Sequence, residues 1–107
     1  MLNTLKRLFA RSKPDFAELS RQGAQIIDVR TVAEFKSGHI QGSRNIPLDR
    51  IADQTSKIRK DKPVITCCRS GVRSASAANI LRSYGFPEVY NGGGWTQLNR
   101  KLQNPSQ

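Results

Sequence analysis

Residues 64–76 read VITCCRSGVRSAS. An apolar, β-branched run ends in two cysteines; small residues and two arginines follow, and then the alanine-rich stretch that closes at Gly85. This order predicts a buried strand entered through Pro63, a tight turn, and a helix whose small side chains let it lie close to a sheet. Backbone N–H groups in such a turn have no ladder partners and converge on one point, and the helix adds its positive end. Gly71 turns the backbone without a Cβ clash, and Ser70 leaves the concavity open. Arg69 and Arg73 bring fixed positive charge. A cysteine sulfur held in this cradle favours the thiolate, with a pKa of about 3.5–7.5 expected for such surroundings. Five residues separate Cys67 from Arg73, and four separate Cys68 from it. The two spacings describe different enzymes.

The same alternation runs outward in both directions. Pro14 suits the first turn of a helix over PDFAELSRQG, which Gly23 can end. QIIDVR (25–30) reads as a short buried strand through Ile26, Ile27 and Val29. TVAEFKSG predicts a brief helix with Thr31 as its cap and Glu34 completing a capping box. HIQGSRNIP is a loop with a small strand near Asn45 and Ile46. Leu48, Ile51, Thr55 and Ile58 are spaced for an amphipathic helix over 48–60. EVYNGGGW is a further strand leaving through three glycines, and TQLNRKL a last helix. Strands alternating with helices predict an α/β protein: a central, mostly parallel sheet with helices on both faces.

The totals set bounds on function. A chain of 107 residues supports one domain. Its apolar content of 36% and mean hydropathy of -0.56 suit a modest core, with no run long enough for a membrane span. The first residues lack the apolar stretch of a secretory signal, so a cytoplasmic protein is expected. Leu2, Leu5, Leu8 and Phe9 recur near helical spacing among Lys6, Arg7 and Arg11, which predicts a basic, helical or irregular extension over residues 1–12. The domain is then 13–102, with 103–107 as a tail. Eighteen Lys and Arg against eight Asp and Glu give a net charge of +10, a surface that attracts anions. The basic residues are scattered and few aromatics accompany them, so no nucleic-acid partner is expected. Neighbouring cysteines cannot staple distant segments, and the single histidine, His39, is remote from them, so neither a disulfide framework nor a metal site is predicted. A reactive thiol is the better use of the pair.

CRSGVRS, Cys68 to Ser74, resembles the active-site loop of the rhodanese sulfurtransferases. IIDVRTVAEFKSGHIQGSRNIPL is similar to the Asp-Val-Arg, Glu-Phe, Gly-His-Ile and Asn-Ile-Pro landmarks of that family, and YGFPEVYNGGGW to its closing strand and glycine turn. The likeness runs in order over about residues 15–100 and implies the three-layer rhodanese-like fold. Rhodanese loops place glycine three residues and arginine five residues after the nucleophile, a pattern met by Cys68, Gly71 and Arg73. Related phosphatases and arsenate reductases of this fold use a loop one residue longer, which counts from Cys67. No acid for a phosphate leaving group accompanies the loop, whereas sulfite leaves thiosulfate without a proton; this chemistry favours Cys68.

The resemblance implies a sulfurtransferase that needs no cofactor. Cys68 takes sulfur from thiosulfate or a similar anionic donor as a persulfide, then yields it to cyanide or a thiol, either small or on a protein. Arg69, Ser70, Gly71, Val72 and Arg73 form the substrate-binding cradle. Arg69 guides the donor, and Arg73 either orients its oxygens or braces the loop. A sulfur carrier or anion-sensing domain is the non-catalytic alternative. The neighbouring features have plainer roles. Cys67 is expected to pack in the core on the other side of the strand. His39 fits a structural turn, and Asp28, Arg30 and Glu34 a polar network that ties the first strand to it. Trp95 fits a core or rim position. Rhodanese domains commonly begin with a strand before the helix at 14–22, and here LKRLFARSKPDF does not read as one.

Overall fold

The computed structural model describes residues 14–103; the extension expected over 1–12 lies outside them. Helix α1 spans Phe16–Arg21, strand β1 Gln25–Asp28, helix α2 Val32–Ser37 and strand β2 Arg44–Asn45. A 3-10 segment, Leu48–Lys57, leads to β3, Val64–Cys68. Helix α3, Val72–Ser83, β4, Val89–Gly94, and α4, Trp95–Gln103, complete the order. The sheet runs β2-β1-β3-β4 with every neighbouring pair parallel. Because all strands point the same way, the turns that follow β1 and β3 open on one end of the sheet.

Local chemistry accounts for most boundaries. Asp15 caps α1 by accepting the Glu18 N–H at 3.1 Å, so Pro14 stands just outside the helix rather than in its first turn. Thr31 and Glu34 form the reciprocal capping box expected for α2. The α-helix expected over 48–60 is instead a 3-10 segment broken at Gln54. Its anchors explain the change. Leu48 and Ile51 are three residues apart, as are Thr55 and Ile58, which matches the three-residue turn. The four-residue step between Ile51 and Thr55 contains the kink at Gln54. Asp49, Asp53, Thr55 and Ser56 add little helical preference to oppose it.

Strand alternation builds three layers. Val64, Cys68, Ile27 and Val29 join Ala77, Ala78 and Leu81 of α3, Ile51 of the 3-10 segment and Ile58 just beyond it in one buried cluster. Ile65, Cys67 and Ile26 join Phe16 and Leu19 of α1 and Leu98 of α4 in the other. The twin cysteines therefore point to opposite faces of the sheet. Between the layers, Arg30 lies across Asp28 with two forked hydrogen bonds, Nε to Oδ1 at 2.9 Å and Nη2 to Oδ2 at 2.7 Å. The same guanidinium donates to the carbonyls of Gly38 at 2.6 Å and Glu34 at 3.2 Å, tying β1 to the turn after α2. Trp95 takes a rim position, partly buried, with the Arg30 guanidinium 4.7 Å from its ring centre.

Candidate active site

Cys68 is the last residue of β3, and the turn beyond it folds back over its sulfur. Gly71 N–H donates to Cys68 Sγ at 3.0 Å and Ser74 N–H at 3.4 Å. Ser74 Oγ lies 3.4 Å from the same sulfur. This closure needs glycine at two places. Gly71 has φ of 102°, and a Cβ on it would stand 3.3 Å from Gly93 Cα. A Cβ on Gly94 would meet the Arg69 carbonyl at 2.8 Å, so the loop and the end of β4 approach each other backbone to backbone.

The electrostatics separate the two cysteines. Burial pushes the Cys68 thiol up, but the Ser74 hydroxyl and the amides of Ser74, Gly71 and Ser70 outweigh burial, and the net direction is down. For Cys67, burial dominates, Asp28 adds to it, and the thiol is pushed up to about 12. Cys67 also packs on the α1 and α4 face, away from the loop amides. The spacing counted from Cys67 thus has no cradle around its sulfur.

The loop residues singled out from sequence fall into distinct positions. Ser70 and Gly71 direct amides at Cys68. Arg69 and Ser70 are exposed at the rim, and Val72 leaves 72% of its surface open. Arg73 turns to Glu34 on α2, with Nη1 to Oε1 at 2.8 Å and Nη2 to Oε2 at 3.0 Å. Of the two roles open to Arg73, the geometry is that of a brace. Hydrogen bonding from Arg73, then from the Thr31 backbone, holds the Glu34 carboxyl down to about 2. His39 stacks on Phe35 at 3.7 Å and its Nδ1 meets the Phe35 carbonyl at 2.7 Å, so it belongs to the turn after α2.

Two residues outside the sequence-derived set complete the site. Ser74 is fully buried under the sulfur, and Asn91 of β4 reaches both Ser74 and Gly71. Ser74 closes the CRSGVRS motif, so it was within view. Asn91 carried only a faint signal, a polar residue ahead of three glycines in an otherwise apolar strand.

No group of acidic, histidine or cysteine residues suited to a metal occurs among the described residues, and none of their helices is long and apolar enough to cross a membrane. A profile of the rhodanese-like domain family matches residues 12–101. The uncharacterized protein YqhL of Bacillus subtilis is 47% identical over 75% of this chain, and the match spans 64% of its own length. The thiosulfate sulfurtransferase GlpE of Pseudomonas aeruginosa is 37% identical over 88% of this chain and 86% of its own. The human single-domain sulfurtransferase TSTD1 superposes with a TM-score of 0.71 at 25% identity, covering 83% of this chain and 93% of that one.

Proposed function

This chain belongs to the rhodanese-like domain family, and on that premise we propose that it is a thiosulfate sulfurtransferase acting through Cys68. The observation that carries the reading is the convergence of the Gly71 and Ser74 amides on Cys68 Sγ. In the first half-reaction the thiolate attacks the outer sulfur of thiosulfate. A new S–S bond forms, the old one breaks, and sulfite departs with its electron pair. The persulfide anion remains beside the same amides, which stabilise it as an oxyanion hole stabilises oxygen. In the second half-reaction cyanide or a thiolate attacks the terminal sulfur and Cys68 leaves as a thiolate. No step needs a proton from the protein, which suits a site without an acid beside the sulfur.

Arg69, exposed at the rim, attracts the donor anion and adds to the field of a +10 chain. Val72 is exposed on the same loop, and Arg73 keeps the turn in place from Glu34. We assign the activity to residues 13–102, with 1–12 and 103–107 as appendages. We place it in the cytoplasm, where thiols stay reduced; both cysteines are unpaired.

One feature favours a second reading, that of a sulfur carrier with little turnover. Cys68 has no exposed surface in this structure, so its sulfur is shielded from a small donor in solution. Incubation with thiosulfate followed by intact and peptide mass spectrometry tests both readings. A gain of one sulfur on Cys68, removed by cyanide over many cycles, supports the enzyme. Loading released only once supports the carrier, and no loading on Cys68 overturns both.

A further inference from the structure

Asn91 pairs with Thr66 across β4 and β3, and its side chain reaches over the turn that follows Cys68. Its Nδ2 donates to the Gly71 carbonyl at 3.1 Å. Its Oδ1 accepts the Gly93 N–H at 2.9 Å and the Ser74 hydroxyl at 2.6 Å. A backbone acceptor on one side and a backbone donor on the other leave the amide a single orientation. Ser74 Oγ meanwhile lies 3.4 Å from Cys68 Sγ. The hydroxyl carries one hydrogen, and two acceptors compete for it.

The competition depends on the state of the sulfur. With the hydrogen on Asn91 Oδ1, Ser74 presents only lone pairs to the sulfur. That suits a thiol donating its own S–H, or a persulfide whose charge has moved to the outer atom. With the hydrogen swung to Sγ, the thiolate gains a further donor beside the loop amides. We propose that Asn91 is a positioning residue for the Cys68 nucleophile, holding the Ser74 hydroxyl hydrogen while the inner sulfur is neutral and yielding it while that sulfur is anionic. The hydrogen turns about the Ser74 C–O bond and stays on its oxygen; the proton lost by the thiol passes to solvent. This inference rests on the reading of Cys68 as the nucleophile.

Other titratable groups bear on the sulfur without passing through Asn91. Arg73 of α3 acts on it while fastened to Glu34 of α2, and Cys67 adjoins it on β3. None of these groups hydrogen-bonds to Asn91, whose side chain reaches Ser74, Gly71 and Gly93 and is itself exposed.

The test is the pH dependence of Cys68 alkylation by iodoacetamide in the full chain, with the label mapped by peptide mass spectrometry. Asn91→Ala frees the hydroxyl for the sulfur, so the profile moves to lower pH and alkylation on the acid limb quickens about threefold, half a pKa unit. Asn91→Asp keeps the acceptor and adds negative charge, so its profile moves to higher pH. Opposite shifts are the signature, because mere loosening of the turn moves both variants the same way. In a Ser74→Ala background, Asn91→Ala produces no further shift. If Ser74→Ala fails to fold, the opposed pair of Asn91 variants still decides. Shifts of one sign, or no shift, overturn the proposal. Alkylation needs no sulfur donor, so failure of thiosulfate loading counts against the proposed function and leaves this result standing.

Discussion

Arg73 grips Glu34, 39 residues away in the chain, through two parallel hydrogen bonds of 2.8 and 3.0 Å. The pair joins the first turn of α3 to the first turn of α2 and so fixes the far side of the Cys68 loop. Glu34 also accepts from the Thr31 N–H at 3.1 Å, making one carboxylate both a helix cap and a loop brace. Releasing Arg73 by Glu34→Ala leaves the fold but loosens the amides around the sulfur. We expect kcat/KM for thiosulfate to fall by about ten- to a hundredfold, as small misplacements of reacting groups do. Steady-state kinetics check this; unchanged kcat/KM would show that Arg73 braces nothing.

The same pair has a pH signature. Glu34 is held at about 2, below the ordinary value of 4.5, by Arg73 first and Thr31 second. A depressed folded-state pKa means that its stabilisation is complete above about pH 4.5 and is lost as pH falls toward 2. The side chains are about a third exposed, at 34% and 31%, so solvent screening limits the effect to about 1 kcal/mol or less. Thermal unfolding midpoints across this window should fall more steeply in the wild type than in Glu34→Gln.

The cysteines should part company under substitution. Cys68→Ser is expected to abolish sulfur loading, and Cys67→Ser to retain most of it. At neutral pH an alkylating reagent should label Cys68 alone, since the Cys67 thiol, raised to about 12, presents almost no thiolate. Peptide mapping reads both outcomes, and label on Cys67 would contradict the assignment.

Arg30 and Asp28 make the sharpest stability prediction. They are 4% and 0% exposed, and removing one partner strands a buried charge. Arg30→Ala should cost about 3–5 kcal/mol in denaturant unfolding. Asp28→Asn with Arg30→Met should cost less than the separate losses combined, because neither charge is then left alone.

Gly71→Ala tests the turn itself. Its φ of 102° is costly for any L side chain, and the added methyl carbon meets Gly93 Cα at 3.3 Å. A loss of about 1–2 kcal/mol is expected for forcing the left-handed conformation. Activity should fall further than stability, because the Gly71 amide is the nearest donor to the sulfur.

Much of the molecule was legible from local pattern. The β-branched run of Ile26, Ile27 and Val29, the Thr31–Glu34 box and the small residues of α3 each express a rule that spans a few residues; their elements formed there, although β1 ends at Asp28, short of the strand expected to Arg30. The loop followed for the same reason, since strand, glycine and helix start are adjacent in the chain. The segment at 48–57 departed because its anchors keep a three-residue step that a four-residue helical reading blurs.

What the tertiary structure alone decided is who meets whom across the open end of the sheet. Parallel strands bring the helix starts after β1 and β3 and the far half of β4 to one end of the sheet, so Arg73 meets Glu34 and Ser74 meets Asn91 although no short-range periodicity links them. Whether Arg73 would face a ligand or a carboxylate depended on that convergence, because a guanidinium settles on the nearest planar anion. A linear sequence specifies which charges exist; chain crossing over the sheet selects their partners.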